Sequence, residues 1–255
     1  MGEYVLITGA SSGIGKAFAN EYAKKGRNLI LVARNKEKLD NLKNGLTGKY
    51  NVDVKVIQLD LSIQDSANKL FESIKKEEIF VDTLINNAGF GLKGNLLSYS
   101  VEDYYEMMNL NMITLTGLTH MFLEPMIKNG KGIIINVGSL VSFMSAPYNV
   151  VYSATKAFVL SFTEGLYYEY KDKGVQFVAI CPGATNTCFF DKAGKSKASG
   201  GKLREPEQVV ETALKGLKKN KPFVVDGPKT KFTVLLSKLL PRKVFPILLS
   251  KMDTK

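Results

Sequence analysis

The sequence has few of the residues from which metal centres and disulfide frameworks are built. It contains one histidine, His120, and two cysteines, Cys181 and Cys188, which lie seven residues apart. This spacing matches neither a metal-binding motif nor a disulfide framework, and unpaired cysteines are typical of a reducing compartment. We therefore expect no metal site, two free thiols and a cytoplasmic location. His120 has no visible catalytic partner and is interpreted as structural.

An export signal and an arginine-rich arm are also missing. The chain begins directly with the apolar run Tyr4–Ile7, without the basic region and cleavage site of a secretory signal, so we expect no export. Lysine and arginine together number 35 against 24 acidic residues, a formal net charge of +11. Because these cations are scattered, we expect a basic surface or a phosphorylated ligand and no nucleic-acid interface.

No apolar run is long enough and clean enough to predict a membrane-spanning helix. The most apolar stretch, residues 232–252, is broken in its middle by Lys238, Pro241, Arg242, Lys243 and Pro246. We expect a single domain over residues 1–255, with residues 226–255 as an apolar and basic helical extension. Three roles stay open for this extension, which are covering the site, joining subunits and touching an anionic lipid surface.

Short apolar, β-branched runs alternate with helical stretches along the chain. This alternation is typical of a parallel sheet, and the runs lack the polar alternation of strands that face water. The sequence therefore predicts an α/β fold, a Rossmann-type doubly wound parallel sheet in a three-layer α/β/α sandwich, with ligands beyond the carboxyl ends of the strands. The predicted strands are Tyr4–Thr8, Asn28–Ala33, Val54–Leu59, Thr83–Asn86, Gly132–Val137, Val175–Ile180 and Phe223–Val225.

A glycine-rich turn follows the first predicted strand directly, and the helical run Lys16–Lys25 comes next. The order strand, glycine turn, helix is that of a dinucleotide site. Glycines let the backbone approach a pyrophosphate, and the helix N-terminus offers unpaired N–H groups to it. The candidate cofactor-binding residues in this turn are Gly9, Ser11, Ser12, Gly13, Ile14 and Gly15.

Further motifs follow the later strands in a fixed order. They are Asp60-Leu61, Asn86-Asn87-Ala88-Gly89, Ser139, Tyr152-x-x-x-Lys156 and Pro182-Gly183-x-x-x-Thr187. Together with the glycine spacing G-x3-G-x-G, this order resembles the short-chain dehydrogenase/reductase family from about Tyr4 to Thr187. The resemblance implies an oxidoreductase that moves a hydride between nicotinamide and a carbonyl or alcohol carbon, and a homo-oligomeric assembly.

The same resemblance implies which residues contact the cofactor. Asp60 and Leu61 are expected against the adenine. The adenosine and nicotinamide ribose are expected beside the loop of Asn87, Ala88 and Gly89. The remaining implied contacts are Tyr152, Lys156, Pro182, Gly183 and Thr187.

The second predicted strand lacks the acidic residue that an NAD-specific site usually carries at its end. Ala33 occupies this position and Arg34 follows it. A carboxylate repels a 2′-phosphate, whereas an arginine binds it through paired, charge-assisted hydrogen bonds. We therefore expect NADP(H) as the cofactor. The alternative is that Arg34 only opens the next helix.

Tyr152 and Lys156 are four residues apart on the predicted helix Val151–Tyr170 and so share one face. The lysine charge is expected to favour the phenolate and to bring the tyrosine pKa, ordinarily about 10, towards a useful acid/base range. The resemblance implies that Ser139 and Tyr152 bind the carbonyl oxygen and that Tyr152 donates the proton. It also implies that Lys156 contacts the nicotinamide ribose.

Asn111 lies in the predicted helical stretch Val101–Lys128, 28 residues before Ser139. This spacing matches the family asparagine that supports a water connected to the lysine, so we assign Asn111 a catalytic role. Its neighbour Asn109 is the rival assignment. An asparagine inside a long helix can also simply cap or bend it.

Apolar residues follow the fourth, fifth and sixth predicted strands, where the family has its substrate cleft. They are Phe90, Leu92, Leu140, Val141, Phe143, Met144, Ala146, Pro147, Tyr148, Phe189 and Phe190. They favour a hydrophobic ketone or acyl-derived substrate over a sugar. The polar, lysine-rich stretch Asp191–Gly201 is interpreted as a mobile loop. A non-enzymatic NADP-binding sensor and a lipid-surface binding protein are the competing hypotheses, and the intact Ser139, Tyr152 and Lys156 set argues against the sensor.

Overall fold

The computed structural model of the chain describes residues 2–187 and 203–253, without the side chains of Met252 and Asp253. Within these residues one sheet has the strand order β3-β2-β1-β4-β5-β6-β7, and every neighbouring pair is parallel. The strands are β1 (Glu3–Thr8), β2 (Asn28–Ala33), β3 (Val54–Gln58), β4 (Phe80–Asn86), β5 (Gly132–Val137), β6 (Val175–Cys181) and β7 (Phe223–Val225). The predicted doubly wound parallel sheet is confirmed, with β4 beginning three residues earlier than expected.

Helices cover both faces of the sheet and complete three layers. On one face lie α1 (Gly13–Lys24), α2 (Lys36–Tyr50) and a later helix, α7 (Pro206–Lys218). On the other face lie α3 (Ser66–Lys75), α4 (Val101–Met108), α5 (Leu115–Lys128) and α6 (Val150–Tyr170). Two further helices, α8 (Pro228–Leu239) and α9 (Val244–Asp253), form the predicted helical extension.

Successive strand residues enter different cores because side chains alternate across a sheet. Val5 and Ile7 of β1 pack with Phe18 of α1 on one face, whereas Leu6 packs with Leu70 of α3 on the other. All five side chains are fully buried. The uninterrupted apolar sequence of these strands follows from this two-sided burial.

The helical stretch predicted over Val101–Lys128 is not a single α-helix. Residues Asn109–Thr114 between α4 and α5 form a π-helical segment. Two polar side chains of this segment bond to the chain that follows β3. Asn109 Nδ2 donates to the Ser62 carbonyl at 2.6 Å and Thr114 Oγ1 donates to the Leu61 carbonyl at 2.9 Å. These tertiary hydrogen bonds favour the wider turn, and such segments are frequent at functional sites.

The winding of the sheet reverses at β1, which lies between β2 and β4. Chain segments leaving β1 and β4 therefore diverge to opposite faces and leave a crevice at the carboxyl edge of the sheet. This crevice is where the predicted site residues are expected to meet.

A buried ion pair fixes the edge beside β7. Asp226 is fully buried and accepts hydrogen bonds from Arg204 Nε and Nη2, both at 2.9 Å, and from Thr212 Oγ1 at 2.6 Å. Burial by itself raises the pKa of the Asp226 carboxyl, but these donors more than offset it and hold the pKa below its ordinary value of 3.8. Arg204 also pairs through its backbone with Ala184 and Asn186, just beyond β6.

We expect Asp226→Asn to lower the free energy of unfolding by about 3 kcal/mol, because it leaves the Arg204 guanidinium without its buried counter-charge. Urea unfolding followed by circular dichroism measures this. The matched control is Glu211→Gln on α7, whose exposed pair with Lys215 is worth less than about 1 kcal/mol. Because the folded pKa of Asp226 is depressed, its contribution is present above the ordinary aspartate pKa and is lost as the pH falls through the folded value. The difference in the free energy of unfolding between wild type and Asp226→Asn should therefore shrink in acid. A difference that does not change with pH would contradict this account.

Candidate active site

A cavity of about 750 Å³ opens at the carboxyl edge of the sheet, a size typical of small-molecule sites. The predicted site residues that line it are Gly9, Ser11, Ser12, Gly13, Ile14, Arg34, Asp60, Leu61, Asn87, Ala88, Gly89, Ser139, Tyr152, Lys156, Pro182, Gly183 and Thr187. Gly15 and Asn111 do not line the cavity themselves, but each contacts residues that do. Motifs from Gly9 to Thr187 therefore meet in one crevice.

The glycine turn after β1 has the shape of an anion cradle. Gly9 and Gly13 have φ angles of +64° and +52°, a region that side chains other than glycine rarely adopt. A Cβ added at Gly15 would lie 2.3 Å from the Gly9 carbonyl oxygen, so the turn closes only with glycine there. Ser12 makes no side-chain cap on α1, which leaves the first N–H groups of the helix available to an anion.

The Thr8 hydroxyl joins the glycine turn to the loop after β4. It accepts hydrogen bonds from the backbone N–H groups of Asn87 and Ala88, both at 3.0 Å, and donates to the Ile85 carbonyl at 3.2 Å. Asn87 Nδ2 donates in return to the carbonyls of Thr8 at 2.9 Å and Gly9 at 3.2 Å. The two walls of the crevice are thereby held at a fixed separation.

Arg34 lies at the rim of the cavity with 57% of its side chain exposed. Its Nη1 atom is 3.6 Å from Asp60 Oδ2, and Asp60 Oδ1 accepts hydrogen bonds from the Ser62 N–H at 2.9 Å and hydroxyl at 2.7 Å. Burial raises the pKa of Asp60, but Ser62 and Arg34 outweigh it and hold the pKa below 3.8. The N-terminal cap of α2 is Asn35, which accepts from the Lys38 N–H, so the helix does not need Arg34 to open it.

Ser139 and Tyr152 meet on the cavity wall. Ser139 follows β5 and caps a short 3-10 helix, where its hydroxyl accepts from the Val141 N–H at 3.4 Å. Burial raises the pKa of Tyr152 to about 12, and the side-chain hydrogen bond from Ser139 offsets this only in part. The expectation of a lowered tyrosine pKa is therefore wrong for this structure, because desolvation of the phenolate exceeds its stabilisation.

Lys156 is buried behind Tyr152 on the same face of α6. Its Nζ atom donates to the Val137 carbonyl at 2.8 Å, at the end of β5, and lies 5.8 Å from the centre of the Tyr152 ring. Burial lowers the pKa of Lys156 to about 8. The lysine is thus close enough to act on the phenol, but its positive charge is readily lost above neutral pH.

Asn111 lies beside Lys156, whereas its rival Asn109 does not. The Asn111 side chain donates to the Phe90 carbonyl at 3.0 Å and to Thr155 Oγ1 at 3.1 Å, and accepts from the Phe90 N–H at 3.2 Å. A Cβ added at Gly89 would lie 2.9 Å from Asn111 Oδ1 and 3.5 Å from Lys156 Nζ. Asn109 is instead engaged with Ser62, towards the predicted adenine side. The water link between Asn111 and Lys156 stays a prediction.

Five of the predicted apolar residues line the cavity, namely Phe90, Leu140, Val141, Ala146 and Pro147. Four do not, namely Leu92, Phe143, Met144 and Tyr148; Phe143 instead packs against Phe223 with ring centres 5.6 Å apart. Phe189, Phe190, Cys188 and the predicted loop Asp191–Gly201 lie outside the described residues.

Sequence reasoning missed several residues of the site. Thr155 bonds to Asn111, Leu249 reaches the cavity wall from α9, and Lys38, Lys93 and Leu110 also line the cavity. Thr155 precedes Lys156 directly, which is a weak local signal. Covering the site was one of the roles left open for residues 226–255, and Leu249 on the cavity wall agrees with that role.

Other sequence predictions concern groups that do not line the cavity. His120 is exposed on α5 and does not line the cavity, and Cys181 is a buried free thiol whose burial raises its pKa to about 12. Residues 2–187 and 203–253 contain no cluster of three histidine, cysteine or acidic side chains that could hold a metal ion. In the same ranges, no helix has both the length and the apolar character needed to cross a bilayer.

The chain is similar to known short-chain dehydrogenases and reductases in sequence and in fold. Residues 3–198 match the family model described as short chain dehydrogenase. The chain is 32% identical over 228 residues to the very-long-chain 3-oxoacyl-CoA reductase of Rattus norvegicus, a match that covers 84% of this chain and 68% of that protein.

Two solved structures resemble the chain along most of its length. One is a short-chain dehydrogenase from Sphingobium yanoikuyae in complex with NADPH, with a TM-score of 0.82, 32% identity, and coverage of 88% of this chain and 87% of that one. The other is the bulky-bulky ketone specific alcohol dehydrogenase from Comamonas testosteroni, with a TM-score of 0.78, 30% identity, and coverage of 94% and 92% respectively.

Proposed function

We propose that this chain, which belongs to the short-chain dehydrogenase/reductase family of oxidoreductases, uses NADP(H) to reduce or oxidise a carbonyl or alcohol carbon of a hydrophobic substrate. One observation carries the proposal. Ser139, Tyr152 and Lys156 converge on the wall of a cavity whose other end is a glycine turn at a helix N-terminus. A proton donor and a dinucleotide cradle in one crevice suit hydride transfer coupled to proton transfer.

The residues present fit a nicotinamide dinucleotide, which when bound supplies or accepts the hydride. The N–H groups at the start of α1 suit the pyrophosphate, and Asp60 with Leu61 suits the adenine. The remaining residues that would hold the cofactor are Asn87, Ala88, Gly89, Lys156, Pro182, Gly183 and Thr187. The close packing of Gly9 and Gly15, where a side chain has no room, fits this use of the turn.

The phosphorylated form of the cofactor is favoured by Arg34. Its guanidinium is mostly exposed at the rim, and the 3.6 Å separation from Asp60 is longer than a hydrogen bond. Its donors are therefore available to a 2′-phosphate, and Lys38 lines the same part of the cavity as a second cation. The NADPH bound by the Sphingobium yanoikuyae relative agrees with this preference.

Tyr152 is the proton donor in the proposed reduction. With a pKa of about 12 its phenol is protonated at neutral pH, so it holds the proton that the alcohol product needs. Ser139, which is hydrogen-bonded to Tyr152, orients the substrate oxygen towards the same phenol. Lys156 and Asn111 then return a proton to Tyr152 through water, with the Val137 carbonyl fixing the lysine in place.

The substrate is proposed to be a hydrophobic ketone or a 3-oxoacyl compound. The wall beyond Ser139 is formed by Leu140, Val141, Ala146 and Pro147, with Leu249 from α9. Such a wall favours apolar groups over the hydroxyls of a sugar. The names of the rat reductase and of the ketone-specific Comamonas testosteroni enzyme point to the same substrate classes.

We also propose a homo-oligomer, as the family resemblance implies. Tyr105, Ile113 and Phe158, on α4, the π-helical segment and α6, are large apolar side chains with 60%, 64% and 38% exposure. Apolar side chains on neighbouring helices of one face suit contact with a second copy. The cytoplasmic location stays a prediction.

We expect Tyr152→Phe to lower kcat for ketone reduction about 1,000-fold, because the proton donor is lost. Consumption of NADPH with a panel of hydrophobic ketones measures this. NADPH affinity should stay within about twofold, as measured by the fluorescence of the reduced nicotinamide. The matched control is Tyr168→Phe, on an exposed position of the same helix, which should keep full activity. Turnover near the wild-type rate in Tyr152→Phe would refute the assignment.

We expect Arg34→Glu to shift the ratio of kcat/KM for NADPH over NADH by about 100-fold towards NADH, because a charge-assisted pair is replaced by repulsion. Steady-state rates with each cofactor measure it. Lys36→Glu, two residues further on, makes the same charge change at an exposed side chain paired with Asp40 and should leave the ratio nearly unchanged. A preference of the wild-type enzyme for NADH would contradict the proposal that NADP(H) is the cofactor.

We expect kcat/KM for reduction to fall as the pH rises through about 8. Lys156 loses its proton there, whereas Tyr152 keeps its own until about pH 12. A pH profile of NADPH consumption measures the fall. The guanidinium of Lys156→Arg keeps its charge over this pH range. The kcat/KM of this variant, although lower, should therefore not fall as the pH rises through about 8. A flat wild-type profile from about pH 7 to about pH 9.5 would contradict the role of the lysine charge.

A further inference from the structure

The two C-terminal helices expose an apolar stripe that the described fold leaves uncovered. On α8, Phe232, Leu235 and Leu239 are 62%, 53% and 71% exposed, and their spacing of three and four residues puts them on one face. On α9, Ile247 and Leu248 are about half exposed. Exposed apolar side chains that cluster on one helix face mark an interaction surface.

The two helices that carry this stripe are rich in basic residues and contain almost no acidic ones. Residues 228–253 contain six cations and one acid, Asp253, so the two helices carry a formal charge of +5. The six cations are all exposed: Lys229, Lys231, Lys238, Arg242, Lys243 and Lys251. The surface thus combines apolar groups with a strongly positive potential.

The helix that carries most of the stripe is fixed firmly to the rest of the fold. Val234, on the inner side of α8, is buried with Leu160 and Cys181. Lys238 lies over the rings of Phe143 and Phe223, at 5.7 Å and 5.2 Å from their centres. The stripe is therefore presented by an ordered helix and not by a loose tail.

We propose that α8 and α9 form a docking surface for an anionic phospholipid bilayer. The apolar stripe would enter the boundary between headgroups and acyl chains, while the surrounding cations meet the lipid phosphates. This mode of binding lies on the membrane surface and needs no spanning segment.

Charge argues against a second copy of the chain as the occupant of this surface. A two-fold interface brings the same patch of both subunits together, which here would oppose two surfaces of +5 each. An anionic bilayer instead attracts every one of these cations. The exposed apolar residues of α4 to α6 offer a second copy a different face.

The docking surface also borders the cavity. Ile247 and Leu248 face outwards, while the next residue, Leu249, lines the cavity wall. Docking would therefore bring the cavity next to the bilayer, where hydrophobic substrates concentrate. This last step rests on the proposed function, whereas the lipid contact itself does not.

The test is sedimentation of the full chain with vesicles of phosphatidylcholine alone or mixed with phosphatidylserine. We expect binding to the mixed vesicles, little binding to phosphatidylcholine, and loss of binding at high salt as the charges are screened. At about 1 kcal/mol for each basic residue, Arg242→Gln with Lys243→Gln should weaken binding about 30-fold. The control is Lys171→Gln with Lys173→Gln at the far end of α6, which removes the same charge from the opposite edge of the sheet and should bind nearly as wild type.

A second variant tests the apolar stripe. Phe232→Ser with Leu239→Ser changes two exposed positions, so the fold should persist, and binding to the mixed vesicles should fall about tenfold or more. Equal binding to both vesicle types, or an equal loss in the Lys171 and Lys173 control, would overturn the proposal. So would a change of sedimentation coefficient in this variant without vesicles, which would assign the stripe to a second copy.

The enzymatic proposal and the lipid proposal can each be refuted without the other. Tyr152→Phe should bind vesicles as the wild type does, because it changes no charge and no residue of α8 or α9. A chain that docks but reduces no ketone would refute the first proposal only, and an active chain that does not dock would refute the second only.

Discussion

The candidate site depends on the hydrogen bonds of one buried hydroxyl, that of Thr8, at the point where the winding of the sheet reverses. It accepts two backbone N–H groups from the β4 loop and donates back to β4, while Asn87 reaches across to the glycine turn. These bonds join the carboxyl ends of β1 and β4 directly at the crevice. The spacing between the phosphate cradle and the loop beside Asn111 and Lys156 follows from them.

Burial shifts the pKa values of the two reacting groups, Tyr152 and Lys156, in opposite directions. These shifts set the roles of the two groups. Desolvation penalises the charged form, so it raises the pKa of Tyr152 and lowers that of Lys156. The pair therefore favours a neutral phenol beside a lysine whose charge is weakly held. The hydrogen bond from Ser139 acts in the opposite direction and lowers the pKa of the phenol. The chemistry of the crevice is thus governed by water exclusion as much as by proximity.

Sequence patterns predicted the sheet and most of the cavity wall because both depend on local signals. Apolar runs identify β1 to β7, and the motif residues mostly follow strand ends, which a parallel sheet gathers on one edge. The π-helical segment at Asn111 was not predictable, since it arises from contacts with residues far away in sequence. The tyrosine pKa was predicted in the wrong direction, because charge spacing is visible in a sequence and burial is not. Leu249 was missed for a similar reason, as it joins the wall only after the chain folds back.

Arg204 bonds to Asp226 through its side chain and to Ala184 and Asn186 through its backbone. These contacts hold the residues just beyond β6 next to the residue that follows β7. The apolar cavity wall of Leu140, Val141 and Leu249 lies outside α6, the helix that carries Tyr152 and Lys156. Selection can therefore exchange wall residues while the catalytic pair on α6 stays in place. Descendants of this chain would acquire new substrates more easily than new chemistry.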